Sequence, residues 1–203
     1  MSRGYTVMEV MISLGLLGVG AGGVIALQKA TQIGNNSARN VATANAVALS
    51  WAERLRAESL RWNAPAGVDD LQTDTKWLNN AKPDDPIWVT PEEVPLNSDT
   101  PAGSPVADLL GNDIFSTNPA HGAFCTKLRL TRLMVFPDNA VKDPNTSQII
   151  RAEIRVFWDR AGAPINDLAT PAECIPIPDP GDPGSARFGF VTLTTAVLQN
   201  PAP

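Results

Sequence analysis

From Tyr5 to Leu27 the chain is apolar, with one ionisable side chain, Glu9, among Val, Met, Ile, Leu, Ala and Gly. At about 1.5 Å per residue a helix over 5–27 reaches about 35 Å, enough to cross a hydrocarbon core of about 30 Å. Beyond it the pattern turns amphipathic. Val41, Ala44, Ala48, Trp51, Leu55 and Trp62 recur at helical spacing, and Glu53, Arg54, Arg56, Glu58 and Arg61 fall largely off that stripe. No proline occurs between Gly4 and Ala64, so 5–62 reads as nearly one helix, about 87 Å if unbroken. Gly34-Asn35-Asn36 is its weakest point, where a kink or short break is expected, and Asn63 with Pro65 marks its stop.

Residues 63–122 are rich in Pro, Asp, Asn and Gly and have no regular period, with Trp77, Ile87, Trp88, Leu109, Leu110 and Phe115 scattered between. They read as an irregular connection whose Trp residues tuck onto the core. From 123 the period becomes two. Ile150, Ala152, Ile154, Val156 and Trp158 alternate with Arg151, Glu153 and Arg155, the signature of a half-buried strand. Phe124 to Phe136 repeats it with Leu128 and Leu130 against Lys127, Arg129 and Thr131, and Phe188 to Leu198 is rich in Phe, Val, Leu and Thr. The expected fold is α+β: a long helix, an irregular loop, then an antiparallel sheet polar on one face and packed on the helix stripe with the other.

Composition narrows the function. The 203 residues are 43% apolar and 18% charged with a net charge of −5. That suits a folded domain plus an extension and does not suit a disordered chain. The acidic balance argues against a nucleic-acid partner. A single histidine, His121, and two cysteines leave little for a His/Cys metal centre or a His-based triad, and no cofactor is indicated. No nucleophile motif or phosphate loop survives in context, so the chain does not read as an enzyme. Gly18-Val19-Gly20-Ala21-Gly22-Gly23 satisfies G-x-G-x-x-G, but it lies inside the apolar run and not between a strand and a helix, so it is no dinucleotide site.

Arg3 on the short N-terminal flank holds that end in the cytoplasm and sends the remainder across the membrane. A cleaved secretory signal would use Ala21-Gly22-Gly23, and a plain anchor would need no carboxylate at all. Glu9 separates these readings from a third. A charge deep in a membrane helix costs roughly 2.5–3.5 kcal/mol, so such residues usually have a partner or a task. Gly18 and Gly22 form G-x-x-x-G, a spacing that lets membrane helices approach closely.

The run Arg3-Gly4-Tyr5-Thr6-Val7-Met8-Glu9-Val10-Met11-Ile12-Ser13-Leu14 closely resembles the class III signal of type IV pilins and pseudopilins. In that family a basic leader ends in Gly, followed by an aromatic residue, Thr, two apolar residues, Glu and a long apolar helix. The resemblance implies a pilin-like fold, with residues 1–4 as a leader that prepilin peptidase removes between Gly4 and Tyr5. It implies N-methylation of the new amino terminus on Tyr5, where the family usually has Phe. It also implies that Glu9 meets the terminal amine of a neighbouring subunit in the filament. In this reading 5–27 is the transmembrane and filament-core helix, 28–62 the amphipathic helix, 63–122 the irregular loop region and 123–203 the sheet.

Leu27-Gln28 and the stretch from Ala48 through Trp51-Ala52-Glu53-Arg54-Leu55-Arg56-Ala57-Glu58 are similar to minor pilins of the PilV type, as is Arg155-Val156-Phe157-Trp158. This implies a minor pilin of the inner membrane, its C-terminal domain in the periplasm, which joins other minor pilins and the major pilin in a priming or tip complex. Prepilin peptidase, the inner-membrane assembly machinery and a tip adhesin are the further partners implied, and the assembled subunit would reach the cell surface. A minor pseudopilin of a type II secretion system shares the same signal, and a signal-anchored periplasmic binding or enzyme domain is the alternative of another class.

An oxidising periplasm makes Cys125–Cys174 pairing the default, with Cys125 at the first strong strand and Cys174 in the Pro-rich connection between the last two. Asp179 and Asp182 lack the spacing of a calcium loop, and Asp138, Asp143 and Asp84-Asp85 read as turn residues.

Overall fold

The computed structural model of the protein describes residues 6–62, 75–81, 86–96, 101–118, 120–133, 149–178 and 180–198. The chain forms two compact units, one up to Arg39 and one from Asn40 onward. A single helix, α1 (Val7–Ser59), begins in the first and ends in the second. It runs through Gly34-Asn35-Asn36 without interruption, so the expected break is absent: two Asn and one Gly cost helix propensity, but by less than the neighbouring turns supply. The helix stops at Ser59, and Arg61 and Trp62 donate their N–H groups to the Glu58 and Ser59 carbonyls in a closing turn.

In the first unit every described residue from Thr6 to Arg39 is exposed. In the second, α1 buries Ala44, Val47, Ala48, Trp51, Ala52 and Leu55. Val41, expected on that stripe, is 37% exposed, and the core-facing role passes to Val47 and Ala52. The correction with the largest consequence is Glu58, placed off the apolar stripe but completely buried.

The main sheet is antiparallel with strand order β1-β2-β3-β6, built from β1 (Val106–Ala107), β2 (Phe124–Arg132), β3 (Ile149–Asp159) and β6 (Phe188–Leu198). A short hairpin, β4 (Asn166–Asp167) with β5 (Thr170–Cys174), stands apart from it. The three expected long strands are present, although β2 ends at Arg132 and Met134–Phe136 lie outside the described residues. The register places Phe124, Leu128 and Leu130 of β2 beside Trp158, Ile154 and Ala152 of β3. All six lie on the face that packs against the α1 stripe, in one core with Trp62, Trp77, Leu78 and Val197. Trp51 meets Trp77 edge-on with centroids 4.9 Å apart, the geometry in which ring edge and ring face attract. Trp158 lies over Gly189, where any Cβ would fall 2.3 Å from its ring.

The opposite face is less polar than its alternation suggests. Arg129 holds Glu153 through Nε at 2.6 Å and Nη2 at 2.9 Å, and Arg155 lies 3.9 Å from the centroid of Trp88, which is half-buried here and not in the helix-facing core. Cys125, Phe157, Ile165, Ile177 and Phe188 form a second small core on this side. The Cys125–Cys174 disulfide, with Cα atoms 5.9 Å apart, ties its cover down; Cys174 ends strand β5 and is not in the loop expected for it. Lys127 Nζ donates to the Ile177 carbonyl at 3.0 Å, fixing the Pro-rich segment further.

Candidate functional site

The region that carries chemistry by its sequence pattern is the start of α1. Thr6 precedes the helix and acts as its N-cap: the Glu9 N–H points at Thr6 Oγ1 at 3.3 Å and at the Thr6 carbonyl at 3.0 Å, and Val10 N–H donates to the same carbonyl. Thr6-Val7-Met8-Glu9 is the S/T-x-x-E spacing of a capping box, a signal present in the sequence beside the membrane-embedded carboxylate. A carboxylate in this first turn also faces the positive end of the helix dipole. The Ser13 hydroxyl returns a bond to the Glu9 carbonyl at 2.8 Å, so its polar group is satisfied within the helix.

Around Glu9 the surface is oily and open. Val7, Met8, Met11, Ile12, Leu14, Leu16 and Leu17 are exposed, and α1 is long and apolar enough to cross a membrane. Cβ atoms built at Gly15, Gly18, Gly22 and Gly23 would meet nothing within 4 Å, so these faces are free for close approach by another helix. Thr31 also returns its hydroxyl to the Leu27 carbonyl at 2.9 Å, hiding another polar group. Gly4 and Tyr5, the expected cleavage and methylation positions, lie outside the described residues, as do Asp84, Asp85, Asp138, Asp143 and Asp179.

Elsewhere the structure offers little chemistry. A cleft of about 630 Å³ opens between Thr90–Glu93 and β5, and several of its groups are engaged with one another or with neighbours. Glu93 accepts from the N–H and hydroxyl of Ser116, both at 3.0 Å, Glu92 pairs with Lys76 at 2.6 Å, and Cys174 is in the disulfide. His121 is exposed at the edge of a hollow of about 100 Å³. Among the described residues no three His, Cys, Asp or Glu side chains are grouped to hold a metal.

The second polar feature is internal. Glu58, at the end of α1, accepts backbone N–H groups from Lys76, from Trp77 at 2.8 Å and from Leu78 at 3.0 Å. Burial pushes its carboxyl above the usual range, and the three donors and Arg61 draw it part of the way back. Arg54 pairs with Asp113, whose carboxyl is likewise raised by burial and lowered by the guanidinium. These two carboxylates clamp the irregular region onto the helix, and neither opens to a cleft.

No protein-family model, no curated protein and no solved structure matches the chain.

Proposed function

We propose that the chain is a minor pilin, a subunit anchored by α1 and built into a type IV pilus priming or tip complex through that same helix. One observation carries the reading: Glu9, the one acid between Thr6 and Arg39, sits in the first turn of an apolar helix that is exposed throughout that stretch. A soluble protein gains nothing from that surface, whereas a subunit that moves from bilayer to filament core needs it covered twice, first by lipid and then by neighbouring helices.

In the filament Glu9 pairs with the terminal amine of an adjacent subunit. Opposite charges in a low-dielectric bundle set the register between subunits, because leaving either one unpaired is costly. Prepilin peptidase supplies that amine by cutting between Gly4 and Tyr5. The other minor pilins, the major pilin, the inner-membrane assembly machinery and a tip adhesin are the partners. The folded unit from Asn40 onward lies in the periplasm before assembly, where the disulfide forms, and at the cell surface afterwards.

The test is Glu9→Ala in cells whose pilus is intact. The variant is expected to reach wild-type level in the membrane, to be processed normally and to be missing from sheared pili. Incorporation at wild-type level would overturn the assembly role of Glu9.

A further inference from the structure

The Cys125–Cys174 bond joins a sulfur deep in the fold to one at its margin. Cys125 is fully buried, in the small core with Phe157, Ile165, Ile177 and Phe188, whereas Cys174 at the end of β5 is half-buried. Cys174 also borders two hollows: the cleft between Thr90–Glu93 and β5, and a second of about 520 Å³ lined by Thr90, Lys127 and residues 174–178. A thiolate opens a disulfide by approaching along the S–S axis from behind the sulfur it attacks, so access decides which sulfur is taken. Of the two, Cys174 is the one a thiolate can reach.

The hollows differ in charge. The cleft carries Glu92, Glu93 and Glu173, with no cation among the described residues that line it. In the second hollow Lys127 is the one ionisable side chain among the described lining residues. An anion is repelled from the first and drawn into the second. The ammonium is held in place: Nζ donates to the Ile177 carbonyl at 3.0 Å and lies 5.5 Å from the centroid of Phe157. Phe157 is the cross-strand partner of Cys125, and Lys127 follows Cys125 by two residues, on the same face of β2. The charge that attracts an incoming thiolate therefore also serves the sulfur that leaves as one, which an apolar core alone would solvate poorly. Arg155, 5.9 Å from the same Phe157 centroid, adds to that charge.

We propose that Cys174 is a site of reversible S-thiolation, at which a small anionic thiol enters the Lys127 hollow and exchanges with the disulfide. The thiolate sulfur donates its electron pair to Cys174 Sγ. The bond to Cys125 breaks and its pair leaves on Cys125 Sγ, which takes up a proton or attacks back. Attack back on Cys174 Sγ expels the thiol and restores the disulfide. A second thiolate attacking the sulfur of the bound thiol completes a two-electron reduction, in which the thiol leaves as its own disulfide and both cysteines are free. The Cys125–Cys174 link holds the cover of the small core for as long as no such thiol enters. Every residue named lies in the unit from Asn40 onward, so the site does not rest on the pilin reading.

The probe is reduced glutathione, whose thiolate form is doubly negative at neutral pH. The full chain in detergent micelles is incubated with it under native conditions, and samples are quenched in acid and mapped after pepsin digestion. The disulfide is expected to open at a rate proportional to glutathione concentration, with the first adduct on Cys174. Lys127→Gln is expected to slow that rate about threefold, the effect of one unit charge a few ångströms from the thiolate in water, and Lys127→Arg to restore it. Loss of packing has the opposite sign, because freeing the Ile177 carbonyl loosens residues 175–178 and speeds the reaction. Opening at a rate independent of glutathione, the mark of attack on the unfolded chain alone, would overturn the proposal. So would a first adduct anywhere but Cys174, or a Lys127→Gln variant that reacts as fast as the wild type.

Discussion

Glu58 shows how one residue can invert its apparent role. Beside Arg61 at a helix end it looks like a solvated acid, yet it is buried and accepts three backbone N–H groups from residues 76–78. Glu58→Ala leaves those donors without an acceptor and should cost about 3 kcal/mol in urea unfolding. Its pH dependence follows from burial, which raises the carboxyl above its ordinary 4.5 in the folded state. The folded protein then holds that proton more tightly than the unfolded chain, so this contribution to stability falls as pH rises through the interval above 4.5. Glu153 has the opposite sign: the hydrogen bond from Arg129 lowers its carboxyl, and the stability it contributes is lost as pH falls below the ordinary range. Denaturant unfolding at pH 3–8 should show Glu58→Gln flattening the slope above 4.5 and Glu153→Gln flattening the slope below it. A charged residue signals burial only through partners distant in the chain, and the donors to Glu58 come from a stretch without periodicity. No local reading could supply them.

At the scale of elements, periodicity decided what was legible. The α1 stripe, β3 and β6 follow from spacing because each buries one regular face on a common core, and their observed bounds depart from expectation by a few residues at most. Elements too short to repeat were not legible. β1 is 2 residues, and the β4–β5 hairpin carries Asp167 and Pro171, residues that read as loop. The small core around Phe157 and Phe188 was hidden for the same reason, since its cover comes from that hairpin and the Ile175–Ile177 segment. The disulfide makes that cover permanent, closing a loop with a sequence separation of 49. By chain entropy it contributes about 4 kcal/mol. Reduction, or Cys125→Ser with Cys174→Ser, should lower unfolding free energy by about that amount. The largest rise in proteolytic cutting is expected in 175–178, while the helix-facing core keeps its far-ultraviolet circular dichroism.

For the whole molecule, the contrast between the two units carries the account. The unit from Asn40 onward buries its apolar side chains, closes its second core with a covalent bond and clamps its irregular region with carboxylates. In the unit up to Arg39, every described residue, Thr6 to Arg39, is exposed. One half of α1 is buried by folding and the other stays exposed, the half that the proposed function covers with lipid and then with neighbouring subunits. Of the proposed site, the acid, the apolar helix and the open glycine face were legible in the sequence. The Thr6 cap that fixes where the helix starts is also written in the sequence, as the Thr6-x-x-Glu9 spacing, and the backbone geometry shows its bond.

The central claim is that α1 begins as a prepilin segment and ends as a filament core, and the N-terminal peptide of the native protein tests it most directly. Mass spectrometry of that peptide, from cells with and without prepilin peptidase, should find the mature end at methylated Tyr5 in the first and an uncut leader in the second. An end at Met1, Ser2 or Val24 in cells that carry the enzyme would contradict it.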